Sequence, residues 1–199
     1  EGGGFYSAQD ADSLILGENH KEEGYFATYS YDELKAALNT IELETLEKYF
    51  GVQRTGQFEG RNILHLQDHT AKVEVLKIPA IQSAFEKLKT LRAEKPAADT
   101  DDKIITAWNG WMIGAFAQSS RVLGDDRYLQ AAEKAADFIW LNLWEGQKLS
   151  RRFKDGEKRF AALSDDYAAM IYAFIELYQS TFNEKWIAQA LALQNVLDE

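Results

Sequence analysis

Cysteine is absent from the 199 residues, which removes disulfides, thiolate metal sites and cysteine nucleophiles together and suits a reducing, cytoplasmic setting. Proline occurs twice, at Pro79 and Pro96, so most of the chain is free to be helical. Basic residues are outnumbered: 22 Lys and Arg stand against 32 Asp and Glu, a net charge of −10. No basic face is left over for a phosphate backbone, and no nucleic-acid partner is expected. No apolar run approaches the roughly 20 residues of a membrane span, so no membrane partner is expected either. Histidine is rare. His65 and His69 have the i, i+4 spacing of a metal pair, but they follow a strand-like stretch and lack an obvious third ligand, so no metal site is predicted. His20 lies in a polar loop. Gly2, Gly3 and Gly4 open the chain without the GxGxxG or GK[ST] pattern of a phosphate loop, and no cofactor is expected.

What is present is ordinary globular material, 46% apolar and 27% charged. Residues 1–79 form a mixed opening segment. YDELKAAL (31–38) and LETLEKYF (43–50) have helical apolar spacing, the second stopping at Gly51. GYFATYSY (24–31) and NILHL (62–66) look like short strands. From residue 80 onward the pattern is helical. Ile81, Phe85, Leu88 and Leu91 form one stripe. IITAWNGWMIGAFAQSSRVL (104–123) is apolar almost all round, which predicts burial on every side; residues 127–144 are one-faced; 166–182 are again apolar nearly all round; 184–199 return to one face.

That alternation predicts αα-hairpins with one inner and one outer member, stacking into a two-layer ring or solenoid. The fold class expected is mainly α: a fragment of an (α/α)6 toroid with small β-hairpins at one end. KLSRRFKDGEKRFAAL (148–163) supplies one such hairpin, turning at Asp155–Gly156. Six hairpins need far more than 199 residues, so the ring is expected to be incomplete, and the EGGGFYS opening fits an excised piece of a longer chain.

Three acidic groups border the apolar helices: Asp10 and Asp12 in DAD, Asp101 and Asp102 in TDDK, and Asp165 and Asp166 in SDDY. Converging carboxylates suit glycoside chemistry, one as general acid or base and another stabilising positive charge or activating water. The competing account is that Thr100, Asp101, Ser164 and Asp165 are helix N-caps, where the dipole favours acids. Tyr6, Trp108 and Tyr167, near the same ends, offer faces for sugar rings or are simply core. Asn109, inside a buried helix, needs hydrogen-bond partners. Gly110 beside it fits close helix packing equally well.

GGFYSAQDADS (3–13), EGRNILH (59–65), DDKIITAWNGWMIGAFA (101–117) and SDDYAAMIYAFIELYQSTF (164–182) resemble successive blocks of the thioredoxin-domain-containing, spermatogenesis-associated protein 20-like family. The resemblance implies a six-hairpin toroid similar to N-acylglucosamine 2-epimerases, cellobiose 2-epimerases and six-hairpin glycosidases. It also implies that the family's N-terminal thioredoxin-like domain is absent here. Neither inner helix contains the histidines that such epimerases use as acid/base pairs.

The function expected is carbohydrate binding or turnover in a six-hairpin glycosidase-like domain, with a saccharide as ligand. Asp10, Asp12, Asp102, Asp165 and Asp166 would be catalytic, and Tyr6, Asp101, Trp108, Asn109 and Tyr167 would bind substrate. If the chain is an enzyme, a sugar epimerase/isomerase or glycoside hydrolase-like activity is implied. On this reading Asp102→Asn and Asp166→Asn abolish sugar binding and leave thermal stability near wild type. The alternative is a non-catalytic scaffold for the thioredoxin-like domain of the same full-length chain.

Overall fold

A computed structural model describes residues 2–68 and 72–199. About 54% of it is helical, in eight helices among the described residues, so the chain is mainly α. It forms two compact units, Gln9–Asp99 and Glu1–Ala8 with Thr100–Glu199.

The elements of the first unit, after β1 (Ala8–Gln9), are β2 (Asp12–Leu14), β3 (Lys21–Glu23), β4 (Tyr29–Ser30), α1 (Tyr31–Ala37), α2 (Thr40–Phe50), β5 (Arg61–Asn62), α3 (Lys72–Leu76) and α4 (Pro79–Glu94). The two longer helices of the opening segment start at capping boxes, Ser30 with Glu33 for α1 and Asn39 with Glu42 for α2. Gly51 ends α2 in the left-handed region, at φ 67°. Leu34, Leu46, Ile81, Ala84 and Leu88 are buried together as the core of this unit. α4 therefore packs with the mixed segment, and the two compact units divide at Ala8/Gln9 and at Asp99/Thr100. The strands expected over 24–31 and 62–66 shrink to β4 and β5, which pair Tyr29 with Asn62 and Ser30 with Arg61. Ahead of β4 the chain turns instead, because the amides of Ala27 and Thr28 both donate to the Gly24 carbonyl.

The second unit contains β6 (Thr100–Asp101), β7 (Ile104–Ile105), α5 (Thr106–Leu123), α6 (Asp126–Leu143), β8 (Trp144–Glu145), β9 (Lys148–Lys154), β10 (Glu157–Ala161), α7 (Ser164–Thr181) and α8 (Glu184–Leu197). α5 packs on α6 and α7, and α7 packs on α8. Their shared core includes Ile113, Ala117, Ala136, Ile139, Met170, Phe174, Leu177 and Trp186. α5 and α7 approach closely at Gly110, where a Cβ would lie 2.6 Å from the Ala169 carbonyl carbon. Close helix packing is thus sufficient to account for this glycine.

α5 is not buried on every side. Trp108, Trp111 and Met112 are 55%, 57% and 41% exposed, because α6 and α7, its main packing partners, leave that side uncovered. The Asp155–Gly156 turn is present, with both residues at positive φ (53° and 76°), as a two-residue hairpin of the I′ kind demands. It joins β9 to β10, pairing Lys154 with Glu157 and Arg152 with Arg159. On its other edge β9 pairs with β7, Arg152 opposite Ile105.

Candidate functional site

The hairpin is fastened along the starts of α5 and α7. Thr106 Oγ1 donates to the Ser150 carbonyl at 2.7 Å, and the Leu149 amide donates to the Tyr167 hydroxyl at 3.1 Å. Tyr167 is therefore a tie to β9. Asn109 binds the N-terminal segment: its Oδ1 accepts from the Phe5 amide, and its Nδ2 donates to the Phe5 and Ile105 carbonyls. The partners that a buried Asn requires are all backbone: both amide hydrogens and one lone pair of Oδ1 are committed within the fold.

Asp166 is fully buried. Its Oδ2 accepts from the Leu163 amide at 3.0 Å and from Arg151 Nη1 at 2.8 Å, while Oδ1 accepts from the Ala107 amide at 3.0 Å. These bonds cap α7 and secure the first turn of α5. Neither Thr100 nor Asp101 caps α5, since both lie in β6 and the N-cap is Ile105. Asp165 is half exposed and shares Arg151 with Asp166, at 3.1 Å. Asp101 pairs with Lys103 at 2.9 Å and Asp102 with Lys154 at 2.9 Å. Asp10 and Asp12 belong to the other unit, Asp10 just before β2 and Asp12 at the start of the β2–β3 ribbon. There Asp10 lies 3.8 Å from Lys21, which bonds Asp99 more closely at 2.7 Å, and Asp12 faces Glu23 across the ribbon. Tyr6 is half exposed. His65 Nδ1 lies 3.0 Å from the carbonyl of Ile63, two residues earlier; His69 is outside the described residues.

Within the second unit, Arg151 joins Asp165 to Asp166, and a cavity of about 320 Å³ opens beside it, lined by Lys103, Ile105, Trp108, Arg151, Arg152 and Phe160. Only Trp108 of these lining residues was expected at the site. The basic residues went unnoticed because KLSRRFK reads as hairpin flank, and a strand's alternation does not reveal which cation faces a cavity. The run of two arginines in so acidic a chain is the signal that could have found them.

Electrostatically two of these acids, Asp165 and Asp101, are held ionised. The hydrogen bond and charge of Arg151 keep Asp165 below the usual carboxylate range, and Lys103 does the same for Asp101. Asp102 in turn raises the Lys154 ammonium. An acid lowered in this way can accept hydrogen bonds or act as a weak base, but it is a poor proton donor at neutral pH.

No family model matches the chain. It is similar over 98% of its length to the uncharacterized protein B0495.5 of Caenorhabditis elegans, at 29% identity, and covers 31% of that protein. It is 27% identical to human spermatogenesis-associated protein 20 over 99% of its own length and 30% of the relative's, and 26% identical to the rat protein over the same shares. The chain thus spans under a third of the curated relatives it matches, and it is similar to part of spermatogenesis-associated protein 20 along nearly its whole length.

Proposed function

We propose that the unit built from Glu1–Ala8 and Thr100–Glu199 binds a saccharide in the cavity beside the β9–β10 hairpin. The observation that carries this reading is Trp108. It is 55% exposed and forms one wall of a cavity that Arg151, itself paired with Asp165, also lines. An indole face suits the C–H face of a sugar ring, and a paired carboxylate and guanidinium suit its hydroxyls. Asp165, held ionised by Arg151, acts as an acceptor, while Asp166 positions Arg151. The two αα-hairpins, α5–α6 and α7–α8, fit an (α/α)6 toroid of the six-hairpin glycosidase kind. Should the site prove catalytic, epimerisation or glycoside hydrolysis is the class implied, with the proton donor still to be supplied.

The test is a saturation-transfer NMR screen of mono- and disaccharides against the intact chain. Binding to the wild type that Trp108→Ala loses supports the reading. The absence of any bound saccharide overturns it.

One observation favours a second reading, a non-catalytic scaffold docking a thioredoxin-like domain. α5 presents Trp111 and Met112 to solvent, and exposed apolar residues on one helix face are common at interaction surfaces. Co-purification of a separately expressed thioredoxin-like domain, lost on Trp111→Asp, would support it.

A further inference from the structure

We infer that the saccharide taken by this cavity carries an oxyanion, a carboxylate or a phosphate, seated against Arg152. The inference rests on the saccharide reading above and adds the charge of the ligand. Lys103 and Arg151 on the cavity wall each have a carboxylate, Asp101 and Asp165 respectively. Arg152 lines the same cavity and differs from both. Among the described residues no carboxylate lies within ion-pair distance of it, although the chain has 32 acidic residues against 22 basic ones. Its Nε is shielded from solvent and has no hydrogen-bond partner. The other shielded atoms of this kind among the described residues, on Asn62, Trp186 and Gln189, all belong to neutral groups. A desolvated cationic donor left unmade is costly, and such groups in native folds call for an explanation. A guanidinium is a flat fork matched to two oxygens of a carboxylate or phosphate.

The neighbouring backbone agrees. Phe160 stands at φ 63°, a conformation that non-glycine residues seldom adopt. The pairing of β10 with β9 skips it, running through Arg159 opposite Arg152 and Ala161 opposite Ser150. The residue is 67% exposed, yet its ring centroid lies 5.6 Å from the Arg152 guanidinium carbon. Backbone strain that leaves an aromatic ring in solvent beside an unpaired cation is the kind that collects at ligand sites. Trp108 and Phe160 would then contact the body of the ligand while Arg152 takes its charge. The cavity volume of about 320 Å³ lies at the small-ligand end of the usual range.

The experiment is a set of calorimetric titrations of the intact chain with glucuronate, glucose 6-phosphate, glucose and inorganic phosphate, at low and moderate salt. Expected is a charged sugar binding at least tenfold tighter than glucose, weakening as salt rises. Whether glucuronate or glucose 6-phosphate is the tighter identifies the oxyanion, and either supports the inference. Arg152→Gln should erase the tenfold preference, so that the charged sugars bind this variant no more tightly than glucose does. Arg152→Lys should keep part of it, with circular dichroism confirming that both variants fold. Equal affinity for glucose and both charged sugars overturns the inference while leaving the saccharide reading intact. Inorganic phosphate binding as tightly as glucose 6-phosphate overturns it through the saccharide reading, since the sugar body then contributes nothing.

Discussion

Asp166 Oδ1 accepts the backbone N–H of Ala107 at 3.0 Å, so the carboxylate that opens α7 also secures the first turn of α5. With its other oxygen taken by Leu163 and Arg151, Asp166 joins two helix starts and the hairpin. Asp166→Asn turns an acceptor toward donors into a donor toward donors. It should cost about 2–4 kcal/mol, as expected when one member of a buried charged network is removed. Asp165→Asn removes only a half-exposed ion-pair partner and should change stability by less than about 1 kcal/mol. Urea denaturation of both variants checks the contrast; equal midpoints would refute the capping assignment. The stability expectation drawn from sequence for Asp166→Asn is thereby reversed.

Gly110 gives a second measurable consequence. Helix propensity alone favours Gly110→Ala by about 1 kcal/mol. The new Cβ, however, would meet backbone atoms of Ala169 at 2.6 and 2.7 Å, and backbone cannot rotate aside. The helices must separate, and the expected net loss is about 1–3 kcal/mol. A melting temperature raised by Gly110→Ala would mean that α5 and α7 are further apart than described.

The helices and the tight turn were legible because each carries a local signal. Apolar spacing located all the long helices, Gly51 and Asp155–Gly156 marked a stop and a hairpin, and each signal is answered by backbone geometry. The site was legible only in part. Acid pairs in SDDY and TDDK look alike in sequence, yet Asp166 is buried among donors and Asp102 is exposed to Lys154. That difference is set by β9, a strand about 50 residues downstream of TDDK, whose Arg151 and Lys154 choose their carboxylates through tertiary pairing. Exposure on α5 was misjudged for a related reason: a helix apolar all round need not be covered all round by the elements that pack on it.

Acid sensitivity should centre on Glu42 in the first unit. Its carboxylate accepts from Lys87 through both oxygens, from Ser83 Oγ and from the Asn39 amide. These partners, the Lys87 hydrogen bond foremost, lower its pKa from 4.5 to about 2. A carboxylate lowered on folding contributes stability above its unfolded pKa and loses it as pH falls through the folded one. The loss should therefore run from about pH 4.5 down to pH 2. Allowing for the partly exposed Lys87, the contribution is on the order of 2 kcal/mol. Glu42→Gln should be less stable than wild type at pH 7 and close to it at pH 2.5. Parallel pH profiles for the two proteins, measured by urea denaturation, would count against this assignment.

Trp108 and Trp111 separate the two functional readings, because they are alike in exposure and differ in surroundings. Trp108 lines the cavity with Arg151, Arg152 and Phe160. Trp111, almost one turn along α5, lies outside it and rests against Tyr172, ring centroids 5.3 Å apart. Both are more than half exposed, so substituting either by Ala should cost little stability, about 1 kcal/mol or less. Trp108→Ala should weaken saccharide binding at least tenfold, the order expected when a stacking surface is removed. Trp111→Ala should leave that affinity within twofold and instead weaken any association made through the apolar face of α5. Saccharide titrations of the two variants decide the matter: if Trp111→Ala weakens sugar binding as much as Trp108→Ala, the ligand lies along the α5 face and not in the cavity.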